Sequence, residues 1–331
     1  MIIRTTAYPR AALIGNPSDG YFGKTIAFTF SNFSARVTLY ESPDLEIVPT
    51  RRDGSIFTSI ADLYNDVRLF GYYGGIRLLK AAIKSFYSYC QEQQIELHDR
   101  NFTIRYDSDI PNLVGLAGSS AIITATIRAL LVFYGVTIPN PQLANLIRSV
   151  ENHELGIAAG LQDRVAQVYQ GVVYMDFDRS LMSSQGFGRY EPIAPKCLPP
   201  LYIAYRTDLS EGSEVIHNSL RVRFEQNEPE VLAAMAYWAD LAEQARGTLE
   251  SGNWDQLSRL MDANFEKRRE ICPIGEGNQR LIETARKAGA SAKFTGSGGA
   301  IIGTYPDERV YRQLLELFAT EKVCVLKPEL I

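Results

Sequence analysis

The chain has 331 residues, 46% of them hydrophobic and 22% charged, with 34 Lys and Arg against 38 Asp and Glu. That is the makeup of a globular protein with ample core, long enough for two ordinary domains. A net charge of −4 without a basic stripe argues against nucleic acid or a membrane surface as partner, and no apolar run reaches the roughly 18 to 20 residues that span a bilayer.

Met1 to Arg10 lacks an apolar leader pattern and reads as a strand, so no secretory signal is expected. The first forty residues read as strands over Ile2 to Tyr8, Ala11 to Ile14 and Thr25 to Tyr40. Gly75 to Gln94 carries apolar residues at Ile76, Leu79, Ile83, Phe86 and Tyr87, which predicts a helix. Asn101 to Tyr106 alternates as a strand, Ser119 to Tyr134 is helical with Gly135 as its C-cap, and Asn140-Pro141 starts a helix running to about Glu154. Gly171 to Asp178 reads as a strand. Tyr190 to Pro200 holds four prolines and is the best boundary candidate, dividing 1–195 from 196–331. Beyond it come a strand over Leu201 to Tyr205 and helices over Glu230 to Glu250, Trp254 to Ile271 and Glu276 to Ala288. Two short strands about Gly296 to Gly299, a helix over Glu308 to Thr320 and a strand over Lys322 to Lys327 close the chain. Helices and strands mix without strict alternation, which predicts α+β in two domains. Cys90, Cys197, Cys272 and Cys324 are scattered with no Cys-x-x-Cys, as expected of free thiols in a reducing cytoplasm. His98, His153 and His217 are too dispersed to suggest a His-based metal site or a Ser-His triad.

Four segments carry chemistry. Pro111 to Ala121 is rich in small residues and opens into a helix, so its backbone amides and the helix dipole could cradle a phosphate. No Gly-Lys-Ser/Thr closes it, so it is neither a Walker A loop nor a dinucleotide fingerprint; a tight turn that lets a helix pack is the alternative. In Glu151 to Arg164, two carboxylates flank a Gly/Ala-rich turn. One oxygen ligand for magnesium and one carboxylate facing an attacking hydroxyl is what phosphoryl transfer needs. Glu151 and Glu154 as a solvated helix face, with Asp163 as an N-cap, is the alternative. Arg10 to Lys24 ends a strand in a polar loop, where Asn16, Ser18, Asp19 and Tyr21 offer hydroxyl-directed donors and acceptors, or form an ordinary turn. Lys293 to Gly303 reads as two strands joined by glycines that permit close backbone approach, or as a plain hairpin.

In order and combination these segments resemble the GHMP kinase superfamily, from about residue 7 to residue 304. The resemblance implies an N-terminal domain with a left-handed βαβ crossover and a C-terminal ferredoxin-like domain. Within the superfamily the chain is most similar to the branch that phosphorylates the anomeric hydroxyl of glucuronic acid. The segments that carry this are Leu13 to Asp19, Gly74 to Leu79, Gly118 to Ile122, Leu155 to Val165 and Lys293 to Ala300. The resemblance implies that Gly115, Leu116, Ala117, Gly118, Ser119 and Ser120 wrap the phosphates of ATP. It implies that Ser120 and Glu151 hold Mg2+, that Asp163 is the base facing the sugar hydroxyl, and that Arg10 lies near the transferred phosphoryl. Asn16, Ser18, Asp19, Tyr21, Gly296, Ser297, Gly298 and Gly299 would line the substrate. Asn16 stands where related sugar kinases carry Glu, Gly-Leu-Ala-Gly replaces Gly-Leu-Gly, and the late glycine run is shorter. A uronate carboxylate would call for an arginine fork, with Arg206, Arg221, Arg223, Arg268, Arg269, Arg36 and Arg77 all open. Galacturonate, a neutral hexose or a mevalonate-like hydroxy acid stay open as substrates, as does a non-catalytic binding role. A cytoplasmic monomer or homodimer is expected.

Overall fold

The computed structural model describes residues 1–50, 74–206 and 220–331; His217 lies outside them. In chain order its elements are β1 (Ile2–Ala7), β2 (Arg10–Ile14), β3 (Lys24–Thr29), β4 (Ala35–Ser42), β5 (Glu46–Ile47), α1 (Gly75–Glu92), β6 (Asn101–Ser108), α2 (Gly118–Tyr134) and α3 (Asn140–Ser149). There follow α4 (Gln162–Tyr169), β7 (Val172–Asp176), α5 (Arg179–Gln185), β8 (Arg189–Ile193), β9 (Leu201–Tyr205), α6 (Pro229–Ser251), α7 (Trp254–Ile271), α8 (Glu276–Lys287), β10 (Lys293–Phe294), β11 (Ala300–Thr304), α9 (Glu308–Ala319) and β12 (Cys324–Leu326). They form two compact units, neither contiguous. One comprises Met1–Pro9, Phe33–Ile110 and Gly118–Ala159; the other comprises Arg10–Asn32, Pro111–Ala117 and Gly160–Ile331.

The first unit is built on a sheet in the order β1-β4-β6-β5. Alternation along β4 turns Val37 and Leu39 inward, and β6 buries Phe102 and Ile104. α2 packs on β1 and β4, and α1 packs on α2. α2 is apolar nearly all round because it lies at the centre of this layer. The helix expected through Glu154 is α-helical only to Ser149 and continues as a π turn over Val150–Glu154. There Ile157 N–H donates to Glu151 O at 2.8 Å, and the Asn152 amide holds Ala159 through both its N–H and its carbonyl. These bonds replace the regular ladder and shape the turn.

The second unit holds two sheets, β2-β3-β7-β8 and β10-β11-β9-β12, all pairs antiparallel. Read from β12, the latter runs fourth, first, third, second strand, with α6 to α8 crossing between β9 and β10 and α9 between β11 and β12. That is the split βαβ arrangement of a ferredoxin-like domain. Tyr202, Phe265, Leu281, Phe294, Leu314 and Phe318 form its core.

Two further expectations change. The strand read over Thr25 to Tyr40 is two strands, β3 and β4, in different sheets. The polar pair Ser31-Asn32 ends the first one: Ser31 N–H donates to Glu329 O at 2.8 Å, and the Asn32 side chain donates to Lys327 O and accepts from Glu329 N–H. The proline-rich stretch from Tyr190 begins inside β8, which tolerates Pro192 because it is the outer strand of its sheet.

Trp238 on α6 is wholly buried, and its Nε1–H donates to Asn264 O at 3.1 Å. Trp238→Ala should lower the unfolding free energy by about 3–5 kcal/mol, measured by urea denaturation followed by circular dichroism.

Candidate active site

Arg10, the first residue of β2, is 4% exposed. β2 is the outer strand of its sheet, and its free edge meets two other segments. Arg10 N–H donates to Leu116 O at 3.1 Å, and Ala12 N–H donates to Thr295 O at 3.0 Å. The Arg10 guanidinium repeats the pattern. Nη1 donates to Gly115 O and Thr295 O, and Nη2 pairs with Asp163 Oδ1 at 2.5 Å. Lys293 is buried and completes the seam, with Nζ donating to Ala12 O and Phe294 O. Burial pushes its ammonium well below the usual lysine range, and the charges of Arg268 and Arg10 push the same way.

Asp163 stands in the first turn of α4, where the helix dipole favours an anion. Its second oxygen, Oδ2, pairs with Arg164 Nη1 at 3.4 Å, and Arg164 also donates to Gly160 O. Both oxygens of Asp163 are therefore engaged by guanidinium groups. Asp19 lies beside them on a short 3-10 turn, Ser18–Tyr21, and the backbone N–H of Gln162 donates to its carboxylate. A Cβ at Gly160 would stand 2.4 Å from Asp19 Oδ2, so a side chain there would displace that carboxylate. Burial, and then the Asp163 charge, push the Asp19 carboxyl up to about 7, against the pull of Arg10 and the backbone N–H groups. The Tyr21 ring packs on Phe224 at 4.8 Å between centroids. Burial and the Asp19 charge raise its hydroxyl, while the charge of Arg221 lowers it.

Asn16 is buried, and its Oδ1 has no hydrogen-bond partner. Arg10 Nε and Gln162 Oε1 are likewise buried without one. Orphaned polar atoms on these three segments are of the kind a polar ligand would satisfy. Ser18 differs: its hydroxyl is turned inward onto Lys24 O at 3.0 Å.

The glycines explain how two loops meet. Gly115 has φ +70°, and a Cβ there would stand 3.1 Å from Gly298 O and Ser297 N. A Cβ on Gly296 would stand 2.6 Å from Gly115 O. The Gly296–Gly299 motif is thus packed backbone to backbone against the Pro111–Ala117 loop. Arg268 Nη1 and Nη2 donate to Gly296 O and Ser297 O, both at 2.8 Å, and Asn278 Oδ1 accepts from Gly299 N–H. Ala117 holds φ +61° without being glycine, a conformation the surroundings must impose. Leu116 buries its side chain, so only its backbone faces outward chemistry.

Gly118, Ser119 and Ser120 begin α2 in the first unit, which also contains Glu151 in the π turn. Ser120 and Glu151 are 1% and 3% exposed. Among the described residues no group of three or more His, Cys, Asp or Glu could hold a metal ion. A hydroxyl and a carboxylate offer only oxygen donors, the kind that magnesium takes.

Of the candidate arginines, Arg223 is clamped on Glu228 and Ile271 O, Arg268 on the glycine motif, and Arg269 on Glu266. In the first unit Arg36 pairs with Asp109, and Arg77 donates to Leu155 O. Arg206 gives its backbone N–H to Gly299 O. Arg221 pairs with Glu225, and its charge is felt at Tyr21.

Sequence reasoning missed Asn264, Gln162, Lys293 and Asn278. Asn264 carried the clearest signal, an amide among Leu257, Leu260, Met261 and Phe265 on the buried face of α7. Its Oδ1 accepts from Gly15 N–H at 2.7 Å and its Nδ2 donates to Asn16 O at 3.0 Å, which fixes the loop that carries Asp19.

The "GHMP kinases N terminal domain" family matches residues 77–171, and the "GHMP kinases C terminal" family matches residues 245–320. Glucuronokinase 1 of Arabidopsis thaliana is 42% identical over 321 residues, covering 95% of this chain and 88% of that protein. Probable glucuronokinase 2 of the same plant is 42% identical over 330 residues, covering 97% and 89%. The fold also matches the Lactococcus lactis galactokinase structure solved with galactose, with TM-score 0.76 and 15% identity over 99% of this chain and 93% of that one. No helix among the described residues is long and apolar enough to cross a membrane.

Asn264→Ala would orphan a buried N–H and a buried carbonyl. It should cost about 2–4 kcal/mol of stability and lower turnover through the displaced Asp19 loop. Denaturation midpoints together with KM for the phosphoryl acceptor check this.

Proposed function

This chain belongs to the GHMP kinase family, and on that premise we propose that it transfers the γ-phosphoryl group of ATP to the anomeric hydroxyl of glucuronate, giving glucuronate 1-phosphate and ADP. The observation that carries this reading is the buried Arg10–Asp163 pair at 2.5 Å, anchored on the carbonyls of Gly115 and Thr295. It sits in a chain 42% identical to glucuronokinase 1 over nearly its full length.

Each residue then has a task. The backbone amides from Gly115 to Ser120 bind the phosphates of ATP. Ser120 and Glu151 would hold magnesium, which offsets phosphate charge when bound. Asp163 accepts the hydrogen bond of the attacking hydroxyl and turns its oxygen toward phosphorus. Arg10 counters charge on the transferring group. Asn16 Oδ1 and Asp19 accept hydrogen bonds from sugar hydroxyls. Gly296 to Gly299 keep the phosphate loop in place through the backbone contacts at Gly115. Arg221, whose charge reaches Tyr21, is the partner for the substrate carboxylate. The kinase domains divide near residue 195.

ADP release from magnesium-ATP with glucuronate, galacturonate, glucose, galactose and mevalonate tests the substrate. Activity confined to glucuronate is expected, and activity with mevalonate or a neutral hexose alone would overturn the reading. Asp163→Asn should lower kcat by about 100-fold or more while ATP still binds. Glu151→Gln should raise the magnesium concentration needed for half-maximal turnover, and an unchanged requirement would remove it as a ligand.

A further inference from the structure

In this reading Asp163 is the carboxylate that faces the attacking hydroxyl, and a second carboxylate, Asp19, stands beside it. Both oxygens of Asp163 face guanidinium groups, Oδ1 from Arg10 and Oδ2 from Arg164. Among the described residues no cation lies within ion-pairing distance of Asp19. Its carboxylate rests against the Gly160 backbone, takes the Gln162 N–H, and adjoins a second negative charge. One carboxylate is thus paired with two arginines, and its neighbour has no described cation within ion-pairing distance.

We propose that the proton given up by the attacking hydroxyl comes to rest on Asp19, while Asp163 stays the fixed anion that orients Arg10. The inference rests on the kinase reading above. The step balances simply. The substrate O–H bond breaks as its oxygen bonds to the γ-phosphorus, the bond from that phosphorus to the bridging oxygen of ADP breaks, and the proton moves to the ionised Asp19 carboxylate. Water removes it when products leave.

The groups that act on Asp19 are few. From α4 they are Asp163 and the Gln162 N–H; from β2, Arg10; from its own turn, its backbone N–H and Tyr21. Beyond Tyr21 stand Arg221, Glu225 and Cys272. β3 and α6 also pack on this turn, and their charges there, Lys24 and Glu243, are paired with each other at 2.6 Å. With the Asp19 carboxyl pushed up to about 7, the pair is poised where a general base works best.

The pH dependence of kcat/KM for glucuronate tests this. The wild type should lose activity on the acid side with a slope of one and a midpoint near 7. Asp19→Asn should turn over more slowly and lose that acid limb; an unchanged limb would overturn the proposal. A readout without turnover is carbon-13 NMR of aspartate-labelled protein. A carboxyl titrating near 7 should be present in the wild type and missing from Asp19→Asn; its absence from the wild type would overturn the proposal even if the variant is inactive. Stability gives a third readout. A carboxyl with a raised folded-state pKa stabilises the fold at low pH and loses that contribution as pH rises through the folded value. The Tm of Asp19→Asn should therefore gain on the wild type as pH rises from about 4 to about 7. ADP release on no tested sugar would overturn the kinase reading. ADP release alongside an Asp19 that titrates as an ordinary carboxyl would overturn this inference alone.

Discussion

A guanidinium buried at the start of a strand must be surrounded by acceptors, because an unpaired charge there would cost several kcal/mol. Arg10 meets this demand with three groups from three parts of the chain: Gly115 O, Thr295 O and a carboxylate oxygen of Asp163. Each acceptor belongs to a segment with chemistry of its own. One is the phosphate loop, one the late glycine motif, and one the turn that opens α4. The neutralisation of one charge thereby sets the register of segments separated by as many as 285 positions.

The glycines serve the same end. Gly115 and Gly296 lie so close that either side chain would strike the backbone opposite. Arg268 draws the carbonyls of Gly296 and Ser297 onto α7, and Asn264 on the same helix holds the Gly15-Asn16 segment. One helix of the ferredoxin-like domain thus fixes both the glycine motif and the loop bearing Asp19. Polar side chains substitute there for the ladder bonds that irregular backbone lacks.

Much of this was legible in the sequence, and for physical reasons. Helical periodicity placed α1 and α7 within a residue or two, because one face of each is apolar and the other is not. The four chemical segments and their order identified the family. What periodicity does not record is which polar residue answers which backbone group. Asn264, Gln162 and Lys293 act through contacts over long sequence separations, and nothing beside them in the chain marks those partners. β8 was hidden because Pro192 reads as a breaker, and the outer edge of a sheet is where a strand tolerates it. That Asp163 is paired with two arginines and Asp19 with none of the described cations was equally hidden, since it depends on where two guanidinium groups fall.

The account stands or falls on the Arg10 fork. Turnover of glucuronate with magnesium-ATP should be measured for Arg10→Lys, alongside its circular dichroism and melting temperature. A lysine keeps the charge but cannot hold a carboxylate and two carbonyls in one plane. The account predicts a folded protein whose kcat falls by about 100-fold or more. A folded Arg10→Lys enzyme with near-normal kcat would contradict it.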